Sequence, residues 1–421
     1  MLTRRDFSKS LLASSALLAS GPSTFAAQMQ ETHRHSDAHQ DIDLLIKGGR
    51  VVDPAQRTNA LMDVAVKDGK ILEVAVDIPE SRAKRVFSAK DRLVTPGLID
   101  IHVHAYDGVT ACMNADHYCM PRGTTTCVDA GSMGYLFTER FVEDIVRNRA
   151  TRVYALVHIA ALGAVTGLDY VQDNLDWVDP EPAAEAANAY KPAIVGIKVH
   201  LQASKSRHPK ELELEFTRRG IAAAEASHLP LMAHLNDTYY PLGEHLKLMR
   251  KGDVFTHCFN DFPTTRIIDA NGHILPEVRD ARDRGIIFDT AIGHGHPHFR
   301  FNVAEKCLQQ GFLPDTISTD LNDEHATEYV FDLPTTVSKF MALGMDLNTV
   351  LERVTVNPTR VFDYGVKLGT LSHGSEADIG IFALNEGQYD FVDGGGTKRT
   401  GHQMFVNKAV VCRGKLYVNQ V

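Results

Sequence analysis

The sequence predicts an α/β fold, a (β/α)8 barrel (TIM barrel) with a small β-sandwich domain built from both chain ends. Three observations predict it. Eight short apolar runs alternate with amphipathic stretches across residues 96–367. Histidine, lysine and aspartate stand at the C-terminal ends of these runs, the face on which a barrel gathers its functional loops. The two ends, residues 42–95 and 368–421, share a different texture of short β-rich runs separated by glycine.

The opening residues stand apart from the fold. Thr3-Arg4-Arg5-Asp6-Phe7-Ser8-Lys9 precedes the apolar run Leu11–Ser20, and small residues follow up to Ala26-Ala27. This is the layout of a cleaved export signal of the twin-arginine type over residues 1–27, with a periplasmic destination. An apolar run of about ten residues is too short to span a bilayer, so no stable membrane anchor is expected. Residues 28–41 are polar and aperiodic and read as a disordered linker.

From Ile42 the runs Leu44–Lys47, Arg50–Val52, Met62–Val66 and Lys70–Val76 read as strands, with hairpin punctuation at Gly48-Gly49 and Asp68-Gly69. The barrel strands are expected at Leu98–His104, Thr124–Ala130, Arg152–Ile159, Ala193–Val199, Pro230–Leu235, Asp253–Cys258, Ile286–Ile292 and Asp315–Leu321. Phe137–Arg149, Pro182–Tyr190, Leu212–Ser227 and Asn302–Gln310 read as helices between them. A doubly wound open sheet is the alternative. The barrel is preferred because the reactive residues fall around the whole set of strands rather than at one switch point. The tail runs Ala377–Phe382, Met404–Val406, Ala409–Cys412 and Leu416–Val418 return to the opening texture, and Asp393-Gly394-Gly395-Gly396 reads as a loop.

Composition narrows the function classes. The chain is 44% hydrophobic and 23% charged, globular proportions that exclude a largely disordered or fibrous protein. Its net charge of −9 argues against nucleic acid as a partner. The signal carries +2, so the remainder lies near −11. Six cysteines without a CxxC pair do not make a disulfide framework and are expected to be packing thiols. Twenty histidines are many, and their placement points to chemistry.

In Leu98-Ile99-Asp100-Ile101-His102-Val103-His104, alternation puts Asp100, His102 and His104 on one face of the strand. Two imidazoles one strand repeat apart can bind one ion, although an HxH is weak evidence alone. Lys198 lies in the apolar run Gly196-Ile197-Lys198-Val199-His200, where a charged amine is costly. Two readings stay open: a neutral amine that adds carbon dioxide to form a metal-bridging carbamate, or a buried lysine paired with a carboxylate. His234, His257 and Asp320 end the fifth, sixth and eighth runs. Imidazole and carboxylate donors suit zinc, with manganese, iron or cobalt also possible. Two ions roughly 3.5–4 Å apart would share a water acidified toward a pKa of about 7, the metal-bound hydroxide being the nucleophile. Asp320 is then the general base and later passes the proton to the leaving group.

The set His102-Val103-His104, Lys198, His234, His257 and Asp320 resembles the binuclear, carboxylated-lysine branch of the amidohydrolase superfamily. Val94-Thr95-Pro96-Gly97-Leu98-Ile99-Asp100 leads into the HxH as in that superfamily, and Gly374-Ser375-Glu376-Ala377-Asp378-Ile379 resembles its return strand. Finer resemblance is carried by Gly123-Thr124-Thr125-Thr126, Asp129-Ala130-Gly131-Ser132, Gly293-His294-Gly295, the run Pro314–Leu321, Ser338-Lys339-Phe340 and Leu343-Gly344-Met345. These are similar to a deacetylase subgroup often mislabelled dihydroorotase. The resemblance implies a metallohydrolase holding two divalent ions, most readily zinc, with a carbamate on Lys198. It implies cleavage of an acetyl ester or amide of a small carboxylic acid, acetylated 2-hydroxy acids foremost and N-acetyl-D-amino acids more weakly.

Two positions depart from the subgroup. His200 stands where the subgroup carries an arginine, and His296-Pro297-His298-Phe299-Arg300 replaces a small, serine-containing loop. The expected substrate-binding residues are therefore His200, His294 and Arg300, the last as a relocated carboxylate binder. His158, ending the third strand, reads more readily as a barrel-wall residue. The competing readings are a cyclic amide hydrolase of hydantoinase or dihydroorotase type, a dipeptidase, and an inactive barrel acting as a binding protein. The expected partners are a small-molecule substrate and further copies of the chain in a homo-oligomer.

Overall fold

A computed structural model describes residues 40–109, 111–166, 174–203, 208–293 and 297–418. The export signal expected at 1–27, nearly all of the linker expected at 28–41, and His294 lie outside the described residues.

The barrel wall follows the predicted order. Seven parallel strands pair consecutively: Leu98–Val103, Thr124–Asp129, Arg152–His158, Ile194–Gln202, Leu231–Asn236, Val254–Thr256 and Ile287–Phe288. The first five are buried along nearly their whole length, which is why they read as near-continuous apolar runs. Asp315–Leu321 closes the ring without regular strand geometry. Thr316 bridges Asp289 and Leu321 bridges Val103. The Asp320 amide donates to the His102 carbonyl (2.7 Å) and the His104 amide to the Leu321 carbonyl (2.8 Å). Asp320 adopts φ +59, a left-handed turn that interrupts the pleat and re-aims its side chain.

Helices Pro180–Ala189, Glu213–Ser227 and Phe301–Gln309 occupy the predicted intervals. Asp179 caps the first of them by accepting from the Glu181 amide, with Pro180 opening the helix. The interval expected as one helix over 137–149 is instead a short turn, Thr138–Phe141, followed by a π-helical stretch, Val142–Val146. No helix among the described residues is long and apolar enough to cross a membrane.

Both chain ends share a second sheet. Its order runs Lys70–Ala75, Thr58–Lys67, Leu44–Asp53, Leu93–Pro96, Ile379–Val392, Lys398–Cys412 and Lys415–Val418, with Val86–Ser88 beside Leu44–Asp53. The ends join where Leu93–Pro96 runs antiparallel to Ile379–Phe382. One apolar cluster takes Ile46, Val64 and Val94 from the first end and Ile379, Ala409 and Val411 from the second. The tail hairpin is much longer than its apolar runs predict, 14 and 15 residues. Its middle, around Glu386 to Asp390, is largely exposed, so no one-sided apolar alternation marks it in the sequence.

Candidate metal centre

The C-terminal ends of the first, fourth, fifth, sixth and eighth strands converge on one buried cluster. Ligand atoms of His102, His234 and His257 lie within 4.8 Å of one another, and so do those of His102, His104 and Asp320. His102 belongs to both groups. Asp320 Oδ1 lies 3.3 Å from His102 Nε2 and 3.2 Å from His104 Nε2. Lys198 Nζ reaches His102 Nε2 at 3.2 Å. The rings of His234 and His257 approach to 4.0 Å between centroids.

Local backbone geometry aims these groups. Like Asp320, His257 has positive φ (+57); non-glycine residues in this region are uncommon and cluster where function requires a re-aimed side chain. Gly131 (φ +88) lets the turn after the second strand pass over Lys198. A Cβ on Gly131 would lie 2.8 Å from both Cβ and Cγ of Lys198.

Hydrogen bonds orient the first strand's imidazoles. His102 Nδ1 lies 2.9 Å from Thr256 Oγ1, whose hydroxyl donates to Asp289 Oδ2 at 2.7 Å. His104 Nδ1 lies 2.9 Å from Ser132 Oγ. The Ser132 amide donates to Asp129 Oδ1 at 2.7 Å. Both arrangements leave the Nε2 atoms facing the centre.

The electrostatics favour metal ligation. Burial holds the imidazoles of His102, His234 and His257 well below their usual pKa, hence neutral, the protonation state that binds metal. Burial also lowers the Lys198 ammonium to about 7. For Asp320, burial opposes ionisation, but the His104 hydrogen bond and neighbouring imidazoles hold the carboxyl well below its usual range. His234 Nε2 and both ring nitrogens of His257 are buried with no hydrogen-bond partner among the described residues. Unsatisfied buried nitrogens are costly, and a cation held by the group that contains His234 and His257 would satisfy one nitrogen of each ring. The donor set therefore fits divalent metal.

The remaining expected residues separate. His200 stacks on His234, with ring centroids 4.2 Å apart. His158 is buried, its Nδ1 accepting from the Ala160 amide at 3.0 Å. Arg300 stands at the tail-hairpin turn, where it pairs with buried Asp393 at 3.7 Å and its guanidinium lies against Gly395. Asp393 also accepts from the Phe301 amide at 3.0 Å, so Arg300 stands beside a buried carboxylate that the backbone engages as well. All six cysteines are free thiols.

Two histidines of the site escape a reading of the sequence. His298 lies 4.7 Å from the His257 ring and 5.5 Å from the His234 ring, with Asn236 Nδ2 2.8 Å from its Nε2. Its imidazole-rich loop is the one available signal. His325 Nδ1 contacts the Asp320 carbonyl oxygen; nothing in its local sequence marks it.

Residues 93–416 match the amidohydrolase family. The chain is 32% identical over 383 residues to a protein of Enterococcus faecalis named deacetylase, covering 90% of this chain and 100% of that one. Among solved structures, one described as an adenine deaminase superposes with a TM-score of 0.82 at 30% identity, covering 90% of this chain and 100% of its own. Another, described as a dihydroorotase, gives 0.77 at 27% identity, with 89% and 99% covered. The protein is a hydrolytic enzyme, and its chain belongs to the amidohydrolase family.

Proposed function

We propose that this enzyme removes an acetyl group from an ester or amide of a small carboxylic acid, using two divalent ions, zinc foremost, and a carbamate on Lys198. The observation that carries the reading is His102, shared by two converging donor groups with the Lys198 amine beside it. The full-length likeness to a relative named deacetylase supports the acetyl group as the one removed.

Divalent ions in such a site acidify water and polarise a carbonyl. The chain's residues supply the rest. Near neutral pH a sizeable share of Lys198 is unprotonated. Its neutral amine adds to carbon dioxide, forming an N–C bond and releasing one proton, which turns a neutral amine into a two-oxygen anion. Asp320, held ionised, accepts the proton of the attacking water at its carboxylate and returns it to the departing alkoxide or amine. His200 and His298 flank His234 and His257 and are the side chains proposed to meet the substrate. The carboxylate of the substrate is left to these imidazoles and to His294, because Arg300 is engaged by Asp393. The paired arginines at Arg4-Arg5 support export to the periplasm, where the enzyme would act on compounds from outside the cell.

The test is acetate release by protein loaded with zinc and bicarbonate. The panel holds acetylated R and S 2-hydroxy acids and N-acetyl D- and L-amino acids, with dihydroorotate and adenine for comparison. Turnover of one chiral acetyl series is expected. Silence on that series together with ring opening of dihydroorotate, or ammonia release from adenine, would refute the deacetylase reading.

A further inference from the structure

We propose that Asp289 is a positioning residue for the metal centre, acting through Thr256 on His102, whose single Nε2 lone pair serves one ion. This rests on the reading that the centre holds two divalent ions. His102 Nε2 is the atom turned toward Asp320 Oδ1 and Lys198 Nζ, at 3.3 and 3.2 Å. It can ligate only if its lone pair is unprotonated, so the ring hydrogen must sit on Nδ1.

The hydroxyl of Thr256 decides this. It has one hydrogen, and that hydrogen is directed at Asp289 Oδ2 (2.7 Å). Toward His102 Nδ1, 2.9 Å away, Thr256 Oγ1 can therefore only accept. Asp289 is itself held as an acceptor. It receives the hydroxyls of Thr316 at Oδ1 (2.8 Å) and Ser318 at Oδ2 (2.7 Å) as well as that of Thr256. Polarity thus runs one way, from imidazole N–H to hydroxyl to carboxylate, across the first, sixth and seventh strands. Reversing the Thr256 hydroxyl would put the ring hydrogen on Nε2 and turn it into the metal centre.

His104 is braced differently. Its Nδ1 meets Ser132 Oγ, but Asp129 receives the Ser132 amide rather than the hydroxyl. His104 also belongs to only one of the two donor groups. Loss of the Thr256 brace should therefore weaken the ion that His102 holds and release the His102 tautomer, whereas loss of the Ser132 brace leaves the His102 tautomer in place.

The experiment titrates zinc into the metal-free full chain against a chromophoric chelator, resolving two affinities. Nitrogen-15 histidine spectra of the same metal-free protein report the His102 tautomer, assigned with His102→Asn. Thr256→Val is expected to weaken one of the two affinities by about 10–100-fold and to abolish a protected Nδ1–H signal of His102. Thr256→Ser should restore the affinity and the signal, and Ser132→Ala should leave the His102 Nδ1–H signal in place. Thr316→Val, which removes a different donor from Asp289, should lower the unfolding midpoint yet leave both affinities near wild type. Equal zinc binding by wild type and Thr256→Val would overturn the proposal, as would equal losses in Thr316→Val and Thr256→Val. An Nε2–H tautomer of His102 in the wild type overturns it without any variant. Wild-type protein that takes up no zinc would remove the two-ion reading itself, whereas two tight ions with a silent Thr256→Val would remove only the brace.

Discussion

Gly131→Ala tests how the lysine is accommodated. Gly131 has φ +88, and an added Cβ meets Lys198 Cβ and Cγ at 2.8 Å and His158 Cδ2 at 3.3 Å. The clash falls at the root of the Lys198 side chain, so swinging the amine end cannot relieve it; the turn or the strand has to move. Gly252 is a matched control, with φ +88 and nothing within 4 Å of an added methyl. Both substitutions incur the left-handed backbone cost, roughly 1–2 kcal/mol. Only Gly131→Ala adds overpacking, about 1–3 kcal/mol. Denaturant unfolding of the two metal-free variants should therefore separate them by about 1–3 kcal/mol. Zinc content and turnover should fall in Gly131→Ala and persist in Gly252→Ala, because Lys198 Nζ sits 3.2 Å from His102 Nε2. Equal unfolding costs with full zinc in both variants would refute the claim that this glycine exists to let the lysine reach the centre.

Asp320→Asn should keep the fold, because asparagine tolerates the φ of +59 at that position. Its kcat at saturating zinc should drop by about 10²–10⁴; a drop of less than tenfold would remove Asp320 from its role as base. Lys198→Met should stabilise the metal-free, bicarbonate-free protein. The folded lysine titrates near 7 against an ordinary 10.5 because it is buried, so between those values the unfolded chain binds more protons and wild-type stability rises with pH. The advantage of Lys198→Met should grow as pH falls from 10.5 toward 7 and level off below, read from denaturation midpoints over that range; a pH-independent difference would contradict it.

Much of the site is legible in the sequence because it sits on strands. Alternation alone puts His102 and His104 on one face with Asp100, and the barrel pattern turns scattered strand ends into one rim. The eighth apolar run closes the ring where predicted, but through isolated bridges rather than a strand, and Asp320 with φ +59 interrupts its pleat. The tail hairpin exceeds its apolar runs because its exposed middle has no buried face to leave a pattern, and the helix expected over 137–149 winds partly as a π-turn.

What the sequence determined by itself is which donors exist and which share a strand face, since both follow from residue type and a period of two. The tertiary structure decided which nitrogen of His102 faces the centre, because that depends on Thr256 and Asp289, 154 and 187 residues away. It also brought His298 beside His257 and bound Arg300 to Asp393 across 93 residues. Hydrogen-bond direction and charge pairing are properties of neighbours in space, and no local pattern in the chain encodes them.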